Sequence, residues 1–233
     1  MNIEQRKKPK KSISSSGEFP QTRVLIVTAV SAEKDAIMQA LHNDPRFEVL
    51  VGGVGSVVAA VNTTRALAEA EYSLVISAGI GGGFPSKAEV GSLVVGTEII
   101  AADLGAETPD GFNDLETLGF GFTRIQSDST LVERITKALL EAQLPVHAGP
   151  VLTVSTVTGT IETARELTAR IKGASAEAME GFGVGCAAIN RGLPVLEIRA
   201  ISNLVGPRDR SAWRIKDALG ILEAACEVLV EVL

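Results

Sequence analysis

Continuous runs of aliphatic and β-branched residues alternate with helix-length segments along most of this chain, and that alternation constrains its fold more than any other feature. Val24 to Val30 is a β-rich, mostly apolar run of the kind found in strands buried on both faces. Ala32 to Leu41 reads as a helix, with Ser31 as its cap and Asp35 early in it. Phe47 to Val51 is a second strand. Gly52, Gly53 and Gly55 form a turn, and Ser56 caps a long helix to about Ala70. Leu74 to Ala78, Ser92 to Ile100 and Val146 to Thr153 read as strands, and Thr130 to Ala142 and Ile161 to Ile171 as helices. A helix whose start carries Met179 and Glu180 follows, then a strand from Val195 to Ile201 and a last helix from about Ile215. Short alternating units of this kind predict an α/β fold of three layers, αβα, around a mostly parallel or mixed central sheet.

The 233 residues suit one larger single-core domain, and 45% of them are apolar. Residues 1–22 differ from the rest: Arg6, Lys7, Lys8, Lys10 and Lys11 crowd together before a small polar stretch. That composition reads as a disordered basic tail ahead of a catalytic domain over 23–233. A membrane- or RNA-binding arm is the other reading, but no amphipathic pattern accompanies the charge. A formal net charge of −6 disfavours nucleic-acid binding. No apolar run is long enough for a membrane span, and no apolar segment follows the basic residues as in a secretory signal. Cys186 and Cys226 lack metal-like spacing and read as buried reduced thiols of a cytoplasmic protein. No metal or cofactor is expected. His42 and His147 have no Ser or Cys partner pattern and read as surface or satisfied core.

Three glycine groups stand out. Gly79 to Gly83 follows a strand, so its N–H groups either cradle a ligand oxygen or simply make a tight turn; Phe84 excludes a dinucleotide fingerprint. Gly181, Gly183 and Gly185 cost a helix ~1 kcal/mol each relative to alanine, so something packs close to them, either the sheet or a ligand. Glu33, Glu180, Arg199, Ser202 and Asn203 are the candidates for chemistry. Glu33 lies just beyond the first strand and Asn203 just beyond a late one, which in a parallel sheet puts both at its carboxyl edge. Arg199, in the apolar strand LEIRAIS, requires a carboxylate, and Glu33 or Glu197 can serve. A structural ion pair accounts for Arg199 equally well.

Several of these segments, in this order, resemble the purine nucleoside phosphorylase and nucleosidase superfamily. VLIVTAVSAEKDAI is similar to its first strand and acidic turn, GGVGSVVAAVNTTRAL to its second helix start, LVISAGIGGGF to its glycine-rich strand end, AMEG to its ribose-binding pair, and RAISN to its base-contacting segment. The resemblance implies Glu33 as the group that activates water, Met179 and Glu180 on the ribose, Arg199 orienting the water or Glu33, and Asn203 at the base. It also implies Gly81 and Gly82 beside the substrate, the Thr156, Val157 and Thr158 loop over the purine, Ser202 nearby, and Trp213 stacking. Ser56, Ile80 and Ser92 stand where many relatives carry lysine, a hydroxyl residue and aspartate, and neither TAVSAE nor VISAG offers a phosphate-binding arginine. The expected nucleophile is therefore water.

Asn203 stands where adenine-specific members carry aspartate. An amide donates to a 6-oxo group and accepts from a protonated ring nitrogen, whereas a carboxylate faces a 6-oxo group acceptor to acceptor. RAISNLVG, with RDRSAW behind it, resembles the branch that releases hypoxanthine from a nucleoside with a benzoate-bearing 5′ group, for which Arg208 and Arg210 are candidate partners. The expected partner is thus a small nucleoside, in a homo-oligomer of the kind usual in the superfamily. Hydrolysis of methylthioadenosine or adenosylhomocysteine is the alternative within the class. A purine sensor without turnover and a structural oligomeric protein are the alternatives outside it.

Overall fold

The computed structural model describes residues 23–233, so the expected basic tail lies outside the described residues. β1 (Val24–Thr28) leads into α1 (Ser31–Leu41), β2 (Phe47–Val51) into α2 (Ser56–Glu69), and β3 (Leu74–Gly83) into β4 (Leu93–Ala101). A hairpin of β5 (Gly105–Thr108) and β6 (Gly111–Asp114) and the one-turn α3 (Leu115–Leu118) come next. They are followed by β7 (Arg124–Gln126), α4 (Ser129–Glu141), β8 (Val146–Thr153), α5 (Ile161–Arg170) and β9 (Ala176–Ala178). The chain closes with α6 (Gly181–Asn190), β10 (Val195–Leu204) and α7 (Ile215–Val232).

Eight strands form one mixed sheet, in which β2, β1, β3 and β10 lie side by side and parallel. β10 then pairs antiparallel with β4, β4 parallel with β8, and β8 parallel with β9. β9 returns antiparallel to β3, so five strands close on themselves into a barrel with β1 and β2 as a wing. Successive side chains of a strand point to opposite faces. Val24 and Ile26 accordingly pack with α1, α4 and α7, while Leu25 and Val27 pack with α2 and α6. Both faces are covered, which is why the sequence shows continuous apolar runs rather than alternation. α5 packs on a third cluster around Phe84, Leu152 and Val154. Among the described residues no helix is long and apolar enough to cross a membrane.

Several expected boundaries shift for identifiable reasons. Ser31 and Ser56 are first helical residues rather than caps; Val30 and Gly55 hold the cap positions, and Gly55 has a φ of 92°. β1 ends at Thr28, and the backbone N–H groups of Ala29 and Val30 turn to the Glu33 side chain instead. Gly79 to Gly83 is strand, not loop, because β10 on one side and β9 on the other supply its ladder partners. Met179 and Glu180 precede α6 rather than opening it, since β9 occupies the residues expected to begin that helix. β10 runs on to Leu204 with an irregularity between Ile201 and Asn203, so Ser202 and Asn203 lie within it. Cys226 is buried as expected, but Cys186 is only half-buried.

The close approach to the glycines of α6 comes from protein rather than ligand. A methyl group on Gly181 would collide with the Glu197 carboxylate, and one on Gly183 with the backbone carbonyl of Ser56. One on Gly185 would press Ile125. α2 and α6 therefore pack backbone against backbone, and that fixes where the Met179–Glu180 segment sits.

Candidate active site

The carboxyl ends of the parallel strands β1, β3 and β10 meet beside β9, and a cavity of about 320 Å³ opens there, within the usual size of small-molecule sites. Glu33, Met179, Glu180, Ser202 and Asn203 all line it. So do Gly81, Gly82, Val157 and Trp213. Among the described residues in the lining, none is basic.

Glu33 is 3% exposed and is held by three backbone donors. Ala29 N and Val30 N donate to Oε2 at 2.9 and 3.2 Å, and Ile80 N donates to Oε1 at 2.9 Å. An ionised carboxylate has about four acceptor positions, so roughly one remains, on Oε1. Gly79 lies beneath: a side chain there would begin 2.5 Å from Glu33 Oε1 and 2.9 Å from Arg199 Nη1. The glycine leaves open the space in which Glu33 and Arg199 approach each other.

Arg199 is buried behind the lining and does not reach the cavity surface. It donates from Nε to Glu197 Oε1 at 2.8 Å and from Nη2 to Ser77 Oγ at 2.9 Å. Its Nη1 lies 3.4 Å from Glu180 Oε2. Glu197 is thus the hydrogen-bonded partner, with Glu180 as a second carboxylate; Glu33 acts on the guanidinium only through space. The reason is register: Glu197 and Arg199, two apart in β10, share one face of the sheet. Burial alone would lower the guanidinium's pKa, but Glu197, Glu180 and Glu33 together outweigh it and raise it, so the group keeps its charge. Burial raises the pKa of Glu197, Arg199 opposes this, and Glu180 adds to it.

Glu180 accepts from Gly55 N at 3.1 Å on Oε1 and from Met179 N at 3.3 Å on Oε2, so both carboxylate oxygens are held by backbone N–H groups. Asn203 Oδ1 accepts from Ser202 Oγ at 2.8 Å, and Nδ2 donates to the Leu204 carbonyl at 3.1 Å. One N–H and one acceptor position of the amide remain for a ligand.

Other expected residues fall outside the lining. Thr156 is exposed, and Thr158 is buried with its hydroxyl turned to Glu177. Arg208 and Arg210 are exposed, with their guanidinium groups 5.0 and 5.9 Å from the centre of the Trp213 ring. Sequence reasoning missed Glu177, which is 4% exposed, lines the cavity, and accepts from Thr158 N at 2.9 Å as well as from its hydroxyl. Burial raises its pKa, and the bonds from Thr158 partly offset this. The available signal was a single carboxylate between two alanines, two residues ahead of Met179.

The family model described as "Phosphorylase superfamily" matches residues 22–233. The futalosine hydrolase of Streptomyces coelicolor is 49% identical over 90% of this chain and 96% of its own length. That of Acidothermus cellulolyticus is 45% identical over 88% and 89%. The native structure of futalosine hydrolase from Helicobacter pylori superposes with a TM-score of 0.80 at 17% identity, covering 91% of this chain and 99% of the other, which is a likeness of fold. The chain belongs to the phosphorylase superfamily, in its futalosine hydrolase branch.

Proposed function

We propose that this chain hydrolyses the N-ribosidic bond of futalosine and releases hypoxanthine, a step of the futalosine route to menaquinone. The observation that carries the reading is one cavity holding Glu33, Glu180 and the Asn203 amide with no basic side chain in its lining. Water is the nucleophile. Glu33 takes its proton at the free position of Oε1, and its charge offsets the positive charge that builds on the ribose as the base departs. Glu180, held by Gly55 and Met179 and steadied by Arg199, accepts from the two ribose hydroxyls. Met179 packs against the sugar, and Asn203 binds the departing base. Trp213 stands beside the 5′ group, with Arg208 and Arg210 on its ring as partners for a carboxylate.

Futalosine, inosine and methylthioadenosine, each incubated with and without phosphate, test the reading. Hypoxanthine and a free reducing sugar should form fastest from futalosine, at a rate that phosphate leaves unchanged. A sugar 1-phosphate among the products would end the hydrolase assignment.

The chain acts as a homodimer through the outer face of α2. Val57 and Val61 are 78% and 63% exposed, and they share a groove with Leu104, Phe182 and Cys186. Exposed apolar patches of this kind mark association sites, and a second copy satisfies a self-complementary face. Val54, in the cavity wall, is also exposed, so a second copy seated on α2 completes that wall. Sedimentation should give a dimer, and Val57→Lys with Val61→Lys should give a monomer with a raised KM. A wild-type monomer at micromolar concentration would refute the dimer.

A further inference from the structure

We infer that Glu177 is a specificity-determining residue that accepts the N1–H of a 6-oxopurine base. The inference deepens the proposed function and rests on its identification of the base.

Asn203 of β10 and Glu177 of β9 both pair with Gly82 of β3, from opposite sides. Residues paired across neighbouring strands project their side chains from the same face of the sheet, and these two both line the cavity. Gly82 between them projects nothing. The outcome is a slot about two interstrand spacings across, ~10 Å between its flanking backbones. Its floor is bare backbone, one wall is an amide and the other a carboxyl group. A side chain at position 82 would begin 2.9 Å from Val205 Cγ2 and 3.3 Å from Asn203 Nδ2, and would fill the slot.

Thr158 supplies the hydrogen bonds to Glu177, one to each carboxyl oxygen. No Lys or Arg pairs with it among the described residues. About half of a carboxylate's acceptor capacity is therefore left without a protein donor, in a residue that lines the cavity, and that is costly for a buried group unless a ligand donor meets it. A 6-oxopurine in its lactam form supplies that donor. With O6 and N7 turned to Asn203, N1–H projects from the far side of O6, toward β9. A 6-aminopurine has an unprotonated N1, whose lone pair would face the carboxylate. The two walls thus read the same distinction twice, the amide by donating to O6 and the carboxylate by accepting from N1–H.

Glu177→Gln is the main test. Its carbonyl keeps the Thr158 N–H bond, and its NH₂ turns a donor toward N1. The ratio of kcat/KM for futalosine over its 6-amino counterpart should fall at least ~10-fold, in line with the cost of an unpaired polar group in a closed site. Thr158→Val removes a bond to Glu177 but keeps the carboxylate, and should leave the ratio within about two-fold even if both rates drop. An unchanged ratio in Glu177→Gln, or an equal change in both variants, would overturn the inference. Wild-type enzyme supplies a check that needs no variant: 1-methylhypoxanthine should inhibit at least ~10-fold more weakly than hypoxanthine. Equal inhibition would also overturn it. A wild type inert toward futalosine refutes the proposed function and this inference together, whereas an active wild type with an unmoved ratio refutes only this inference.

Discussion

Replacing Glu33 by glutamine should lower kcat by about 10²–10⁴-fold, the usual effect of losing a general base, equivalent to roughly 3–5 kcal/mol of barrier. KM should change little, because Glu180 and Asn203 hold the substrate without it. The substitution is not silent for the fold. Backbone N–H groups face both carboxylate oxygens, so an amide nitrogen at either position sets a donor against a donor. An unsatisfied buried donor costs about 1–3 kcal/mol, and in a domain of this size each kcal/mol lowers Tm by roughly 2–4 °C. A fall in kcat measured well below the new Tm therefore reports chemistry rather than unfolding. Near-full turnover under those conditions would show that another group activates the water.

Asn203→Asp should weaken the preference for a 6-oxo base. The amide now donates to the Leu204 carbonyl and accepts from Ser202, leaving one N–H and one acceptor position for the ligand. An ionised aspartate only accepts. Toward a 6-oxo base it sets two acceptors together, while a 6-amino base gains a partner. The ratio of kcat/KM for futalosine over its 6-amino counterpart should drop by about 10²-fold or more. Absolute activity should fall on both substrates, because the carboxylate also faces the Leu204 carbonyl that the amide satisfied. A ratio that does not move would locate base recognition elsewhere, with Glu177 the first residue to test.

The two variants probe residues that the sequence shows plainly. Glu33 stands a few residues beyond the clearest strand in the chain, and Asn203 closes a polar cluster in an otherwise apolar run. Local pattern was enough to place both at one sheet edge. Glu177 gave almost no local signal, because β9 is three residues long and has no periodicity to read. Its partner strand, β3, lies far away in sequence.

The sequence by itself determined the α/β class, most of the longer strands and helices, and the presence of Glu33 and Asn203 at one strand-end edge. These follow from apolar runs and their order, which are local properties of the chain. It also required that Arg199 meet a carboxylate and that α6 be closely approached. Only the tertiary structure decided which groups meet those requirements: Glu197 and Glu180 for Arg199, and α2, Glu197 and Ile125 for the glycines. It also decided that Gly79 to Gly83 is strand, that five strands close into a barrel, and that Glu177 and Asn203 flank one glycine. The physical reason is the same throughout: burial and periodicity act along the chain, whereas register and ion pairing are settled between segments distant in sequence.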